Sequence, residues 1–586
     1  MIYKMKDFVK MTLAVICGLV IMGVLLFVLG FGMLGALLAA GSSTPPLPKS
    51  GVLVMDMSKF VIGEQSQDSN PLASISSGGD IQTIGIWDAV QAINSAAGDP
   101  AVKYIYLKTD GSMSGIASLE EIRKSLVKFR ETSGKPVVSY IEAPSTGGYY
   151  LASMADKVYM TSHIGGTAPI TGVSSQMVFL GDLLNRLGVN VQLVRHGKYK
   201  SAGEMYTKAK SSQENREQNQ RVVDSMWDSL AESIAESRGI SVEALDDAIN
   251  NLRLNLPQDF VECGLVDELM TRNELEEKLA VLAVKDAFKD VSMIPFADYV
   301  ANVVAPTNAK RQIAIIYADG EIVDGSAKTA VAGDRFASVI ARVRADSTIK
   351  AVVLRVNSPG GSVLASEKIK SELDLLQRDK PVVASYGEYA ASGGYWISNG
   401  SNVIFSDATT LTGSIGVFGL IPDFSKTAKD VLHVGVESVS SHKHGDMFGL
   451  MRPFDQSEYA YMTRSIEGIY DRFISIVSDN RQLSREEVDG IAQGRVWTGA
   501  DALPVKLVDE IGTLEDAVNY AASIAGDPDL GNWSVCGYPR PQTMLERIMS
   551  MVGGYGQSDE AVLLSRLKDC TSAKVLARMD SQIKVR

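Results

Sequence analysis

Beyond residue 50 the chain alternates short, unbroken apolar runs with longer stretches whose apolar positions recur every three or four residues. Residues 313–317 (Ile-Ala-Ile-Ile-Tyr), 351–356 (Ala-Val-Val-Leu-Arg-Val) and 381–385 (Pro-Val-Val-Ala-Ser) are runs of the first kind. Residues 336–344 and 365–377, between them, are of the second kind. The runs predict strands and the periodic stretches predict amphipathic helices. A strand without a solvated face belongs to a mostly parallel sheet covered by helices on both sides. The same period predicts helices over 227–238 and 461–481. The class is α/β.

The pattern occurs twice. Lys135-Pro-Val-Val138 returns as Lys380-Pro-Val-Val383, and Gly147-Gly-Tyr-Tyr150 as Gly393-Gly-Tyr-Trp396. Gly264-Leu-Val-Asp-Glu268 returns as Lys506-Leu-Val-Asp-Glu510, while Asp228 and Arg238 match Asp471 and Arg481 at one offset. A period this long marks a duplicated domain, not a solenoid. The copies are expected over 51–300 and 310–541, followed by a tail over 542–586.

Residues 11–40 follow neither pattern: nearly every position is apolar, over more than the roughly 20 residues that span a bilayer. Lys4, Lys6 and Lys10 precede this run, and no basic residue follows until Lys49. The positive-inside rule then puts residues 1–10 in the cytoplasm and the body of the chain across the membrane. Ala39-Ala40-Gly41 would also suit removal of a signal peptide, but the run exceeds the usual h-region of about 7–15 residues. A retained single-pass anchor at 11–40, in contact with lipid, is expected. A proline-containing linker over 41–50 follows it.

Composition adds exclusions. With 45% hydrophobic and 22% charged residues, the 586-residue chain has ample material for a core. The net charge is -12 and no basic cluster stands out, so no nucleic-acid partner is expected. Four cysteines and five histidines show no metal-ligand spacing, and no metal or other cofactor is expected.

Candidate chemistry lies in three glycine-bearing loops that follow strands of the second copy, where open α/β sheets hold their ligands. Leu411-Thr-Gly-Ser-Ile-Gly-Val417 sets Ser414 between glycines, which suits a presented nucleophile and also an ordinary turn. In Asn357-Ser-Pro-Gly-Gly-Ser362, Gly360 and Gly361 could aim successive N–H groups at one point, as an oxyanion hole requires. Pro-Gly-Gly would make a strand-to-helix turn in any case. Ala390-Ala-Ser-Gly-Gly-Tyr395 reads as a tightly packed helix start.

A serine nucleophile needs a base. No histidine–carboxylate arrangement can be inferred here, which leaves lysine. Aligning the copies sets Ile170 opposite Ser414, so the first copy lacks the nucleophile. The same alignment pairs Lys200, in Gly197-Lys-Tyr-Lys-Ser-Ala202, with Lys443, in Ser440-Ser-His-Lys443. A Ser-Lys dyad could therefore join the copies. A free lysine has a pKa of ~10.4 and a useful base one of ~7, so the lysine must be buried.

Taken together, these motifs resemble the signal peptide peptidase A (protease IV) family in its long, tandem-domain form. The matching residues are Leu411-Thr-Gly-Ser-Ile-Gly416, Asn357-Ser-Pro-Gly-Gly361, Ala390-Ala-Ser-Gly-Gly-Tyr-Trp-Ile-Ser398, Tyr199-Lys-Ser-Ala202 and Val496-Trp-Thr-Gly499. The resemblance implies two Clp protease/crotonase-like domains after an N-terminal transmembrane helix. It implies a serine endopeptidase, with Ser414 as nucleophile, Lys200 as general base and Gly360 and Gly361 as oxyanion donors. Lys443 corresponds to the base of the short, single-domain form and is the alternative. Apolar peptides such as signal-peptide remnants are the implied substrates and a homotetramer the implied assembly. The implied location is the bacterial inner membrane, with the catalytic domains on the periplasmic side. One departure is Gly203-Glu-Met205, where the long form usually has Val-Glu-Pro. An acyl-CoA enzyme and a non-catalytic membrane scaffold are the alternatives on the same fold.

Overall fold

Apolar runs in the first copy form β1 (Gly51–Asp56), β2 (Val102–Lys108), β3 (Val137–Ile141) and β4 (Lys157–Thr161). After β5 (Asn190–His196), which leaves for another sheet, come β6 (Glu268–Met270) and β7 (Met293–Pro295). The sheet is parallel throughout, in the order β6-β4-β3-β2-β1-β7. The second copy supplies β8 (Arg311–Asp319), β9 (Ile349–Ser358), β10 (Gly360–Ser362), β11 (Val382–Ala391), β12 (Val403–Ser406) and β13 (Leu411–Gly413). Then come β14 (Val417–Asp423), β15 (Val496–Thr498), β16 (Trp533–Tyr538) and β17 (Lys574–Arg578). Its main sheet runs β15-β13-β11-β9-β8-β16, with β12 also paired to β11. Only the β13–β15 pair in that order is antiparallel. The computed structural model describes residues 46–67, 81–165, 170–304, 309–328, 330–540 and 574–579, and parts of 10–25.

The same succession β4-β3-β2-β1-β7 and β12-β11-β9-β8-β16 in the two sheets is the structural face of the sequence repeat. Helices repeat too. α1 (Ile86–Gly98), α2 (Ile116–Ser133) and α3 (Gln213–Arg238) correspond to α4 (Gly333–Ala345), α5 (Val363–Asp379) and α6 (Gln456–Arg481). The repeated residues are mostly ties within each copy. Lys135 Nζ donates to the carbonyls of Ala96 and Asp99 at the end of α1, and Lys380 Nζ to those of Val343 and Asp346 at the end of α4. A cation there answers the unpaired carbonyls of a helix C-terminus. Tyr149 Oη donates to Leu265 O as Tyr395 Oη does to Leu507 O. Arg238 reaches Gly264 O and Asp267, and Arg481 reaches Lys506 O and Asp509.

The copies are joined at several places. One core contains Leu53, Met55 and Ile93 of the first together with Ile313, Val353 and Leu514 of the second. At its margin Arg355, 1% exposed, stands between Glu64 and Glu121 of the first copy at 2.7 Å from each. Burial holds both carboxyls above their ordinary range, and the Arg355 charge offsets this only in part. A third sheet runs from residues 331–332 and 322–323 through β10, β17 and β14 to β5. There β5 of the first copy pairs antiparallel with β14 of the second, from Val417↔His196 to Asp423↔Asn190.

Residues 10–25, where described, are helical. No helix among the described residues is long and apolar enough to cross a membrane. Most of the anchor expected at 11–40 lies outside the described residues, as does most of the tail at 542–586.

Candidate active site

Ser414 follows directly on β13, at the point where the chain turns toward β14. Gly413 has φ +71° and Ser414 itself φ +49°. A serine in the left-handed region is strained by about 1–3 kcal/mol and persists only where its surroundings fix it. Here the fixing group is the loop 493–495 before β15: Ser414 N–H donates to Arg495 O at 2.7 Å, and Gly494 N–H to Ile415 O at 2.8 Å.

The same loop holds the lysine of the first copy. Tyr199 N–H donates to Gln493 O at 2.9 Å. Gln218 on α3 donates to Tyr199 O and Ser201 Oγ and accepts the Val496 N–H. A Cβ at Gly494 would lie 2.6 Å from Lys200 Cβ, and one at Gly416 3.2 Å from Lys200 Cδ. Those glycines are thus the channel through which the lysine stem passes. Nζ arrives 3.0 Å from Ser414 Oγ, 3.1 Å from Ser414 O and 2.8 Å from Ser392 Oγ. Lys200 is 1% exposed, Ser414 2% and Ser392 0%.

Gly203 and Glu204, at the departure from the family pattern, pack beneath this loop. A Cβ on Gly203 would strike Leu193 of β5 at 2.3 Å. Glu204 is buried; burial raises its carboxyl, but hydrogen bonds from Ser212 and Lys208 outweigh this and hold it below the ordinary value. Arg195 Nη1 bridges Glu204 and Lys200 O.

Gly360 and Gly361 meet the loop that carries Ser392. A Cβ on Gly393 would lie 3.1 Å from both Gly360 Cα and Gly361 N. Gly360, at φ +96°, donates its N–H to Ser358 Oγ at 3.2 Å. Of the two expected oxyanion donors, that one is already engaged. Lys443 lies exposed in a turn, and Ile170 is buried in the core of the first copy. Ser392 was not singled out by the sequence, where Ala-Ser-Gly-Gly reads as packing; its φ of +56° is what turns the hydroxyl to Lys200.

His444, Asp455 and Glu458 bring ligand atoms within 4.8 Å of one another. Arg452 donates to both Glu458 oxygens and holds that carboxyl down to about 2, while Asp455 caps α6. The cluster is an arginine-filled helix cap.

The pattern of peptidase family S49 matches residues 130–285 and 374–526, which include Lys200 and Ser414. The chain belongs to peptidase family S49. Similar members are "Protease 4" of Haemophilus influenzae, 34% identical over 83% of this chain and 81% of its own, and "Protease 4" of Salmonella typhi, 34% identical over 86% and 82%. "Serine protease SPPA, chloroplastic" of Arabidopsis thaliana is 31% identical over 83% of this chain and 72% of its own. A "Putative signal peptide peptidase SppA" of Enterococcus faecium matches 31% of this chain and 54% of its own at 34% identity. Among solved structures, a ClpP1 mutant from Listeria monocytogenes aligns with 35% of this chain and 94% of its own, at 14% identity and a TM-score of 0.24. As an S49 peptidase, the chain has its duplicated unit in both matched stretches.

Proposed function

We propose that this S49 peptidase is a serine endopeptidase whose dyad is Ser414 and Lys200, built on two Clp protease/crotonase-like domains. The observation that carries the reading is the 3.0 Å contact of Lys200 Nζ with Ser414 Oγ, both buried, across the two copies. Burial favours the neutral amine, because an ammonium out of water loses several kcal/mol of solvation. The neutral Nζ takes the Ser414 proton as Oγ bonds to the scissile carbonyl carbon, and the carbonyl oxygen becomes the oxyanion. The Gly361 N–H, with Gly360 if Ser358 releases it, stabilises that charge. The protonated lysine then gives its proton to the departing amine. A water, deprotonated by the same Nζ, attacks the acyl-enzyme and frees Ser414.

The substrates proposed are short apolar peptides, signal-peptide remnants among them, a reading the Enterococcus relative's name supports. Residues 11–40 are proposed as a single-pass anchor in a bacterial inner membrane, with the catalytic domains on the periplasmic side. A homotetramer is proposed for the assembly. Ser414→Ala should abolish hydrolysis of an apolar peptide, and a fluorophosphonate probe should label Ser414 alone. Labelling of another residue, or turnover by Ser414→Ala above a trace, would overturn the assignment.

Ser392 is a positioning residue in this scheme, since its Oγ anchors Nζ. Losing one such hydrogen bond costs about 1–1.5 kcal/mol, so Ser392→Ala should lower kcat roughly tenfold with KM little changed. The pH profile of kcat/KM should move with it. An unmoved profile would make Ser392 a packing residue only.

A further inference from the structure

One turn occurs in both copies with opposite chemistry. The helix Arg272–Leu282 of the first copy and the helix Leu514–Ile524 of the second start alike, on the threonine caps Thr271 and Thr513. They also end alike. Val284 N–H donates to Val281 O and Lys285 N–H to Ala280 O, as Gly526 N–H does to Ser523 O and Asp527 N–H to Ala522 O. Both turns put one residue in the left-handed region, Gly526 at φ +92° and Val284 at φ +56°. Glycine takes that conformation freely, whereas a β-branched residue there is an outlier. Packing does not compensate the valine, which is 87% exposed; Val281 is 73% exposed and Leu282 39%. In the second copy the turn is polar and closes on its own protein. Ser523 stands in the place of Val281, and Asp527 accepts from Arg311 and Asn532.

The apolar version belongs to the copy that follows the apolar run at 11–40. Past Val284 the chain returns to β7, which pairs with β1 from Val52↔Met293, and Val52 N–H donates to Ser292 O at 2.9 Å. The turn and the entry of the chain into β1 therefore lie on one edge of the first sheet. Leu47 already packs against the core, and residues 41–46 reach at most about 20 Å when fully extended. We propose, on the reading of 11–40 as a membrane anchor, that Val281, Leu282 and Val284 seat in the surface of the lipid bilayer as a second membrane contact. Three apolar side chains partition weakly by themselves, but a short tether makes their contact intramolecular and so effective. The valine then has a use that glycine could not serve, because only a side chain gains from leaving water. Anchor and tip together fix how the body sits on the bilayer.

The test uses the full-length protein in phosphatidylcholine–phosphatidylglycerol vesicles that include a phospholipid with a diazirine high in its acyl chain. After irradiation, trypsin frees residues 279–285 as one peptide, which should carry lipid. The peptide holding 11–40 should carry it too, and the turn at 523–526 should not. Val281→Ser with Val284→Gly gives the first copy the residues of the second. Lipid on 279–285 should then fall about tenfold, the loss expected when a valine side chain no longer leaves water, with the label on 11–40 unchanged and melting no lower. Equal labelling of 279–285 in the parent and the double variant would overturn the tip. Lipid on 11–40 and none on 279–285 of the parent would also overturn the tip and leave the anchor. Lipid on 279–285 and none on 11–40 would do the reverse.

Discussion

Lys200→Ala should lower kcat/KM on an apolar peptide by about four orders of magnitude or more, the usual loss when one member of a nucleophile–base unit is removed. Lys200→Arg should be as inactive. Its guanidinium keeps the charge but accepts no proton near neutral pH, so the pair of variants separates a base from a mere cation. Lys443→Ala should stay within about twofold of the parent, because Lys443 is exposed while Lys200 Nζ touches Ser414 Oγ. The measurement is steady-state kinetics on one peptide, with oligomeric state checked for each protein. An inactive Lys443 variant beside an active Lys200 variant would reverse the pairing of the copies.

Arg355→Met should be the most destabilising single change outside the dyad. It leaves Glu64 and Glu121 buried without the cation that stands 2.7 Å from each, and breaking such a pair costs about 3–5 kcal/mol. Activity should fall with stability, since the copies that carry Lys200 and Ser414 are joined there. Both carboxyls already lie above their ordinary range through burial, and without Arg355 they rise further. A carboxyl raised in the folded state stabilises at low pH and loses that contribution as pH rises through its folded pKa. The deficit should therefore shrink toward pH 5 and widen toward pH 8. Adding Glu64→Gln and Glu121→Gln should recover part of the melting temperature. A variant that melts with the parent at every pH would show that the cluster does not hold the copies together.

The strands and helices were legible because their apolar positions are continuous or periodic, a local signal. Each strand and helix extends beyond its apolar run; residues 351–356 lie within β9, which runs from Ile349 to Ser358. Arg355 is a charged residue in the middle of that apolar run. A buried guanidinium demands carboxylates, but Glu64 and Glu121 lie in the other copy and nothing local points to them. The candidates Lys200 and Ser414 came from the repeat and the family motifs. Ser392 was hidden because its part depends on a backbone angle and on convergence with a distant side chain. β17 was hidden for a related reason: Lys-Val-Leu-Ala-Arg has an apolar run of only three residues, and its partners lie far back in the chain.

The loop 493–495 that clamps both Ser414 and Tyr199-Lys200 also sets a timetable. Synthesis runs from the N-terminus at ~5–20 residues per second, so roughly 15–60 s separate Lys200 from Arg495. Throughout that interval the lysine has emerged without its clamp, and for most of it without its serine. On the proposed reading, the growing chain and any neighbour emerging beside it are spared hydrolysis until the second copy has closed over the first. On the proposed Ser414–Lys200 reading, dividing the pair between two units means that neither copy is armed before both have been made.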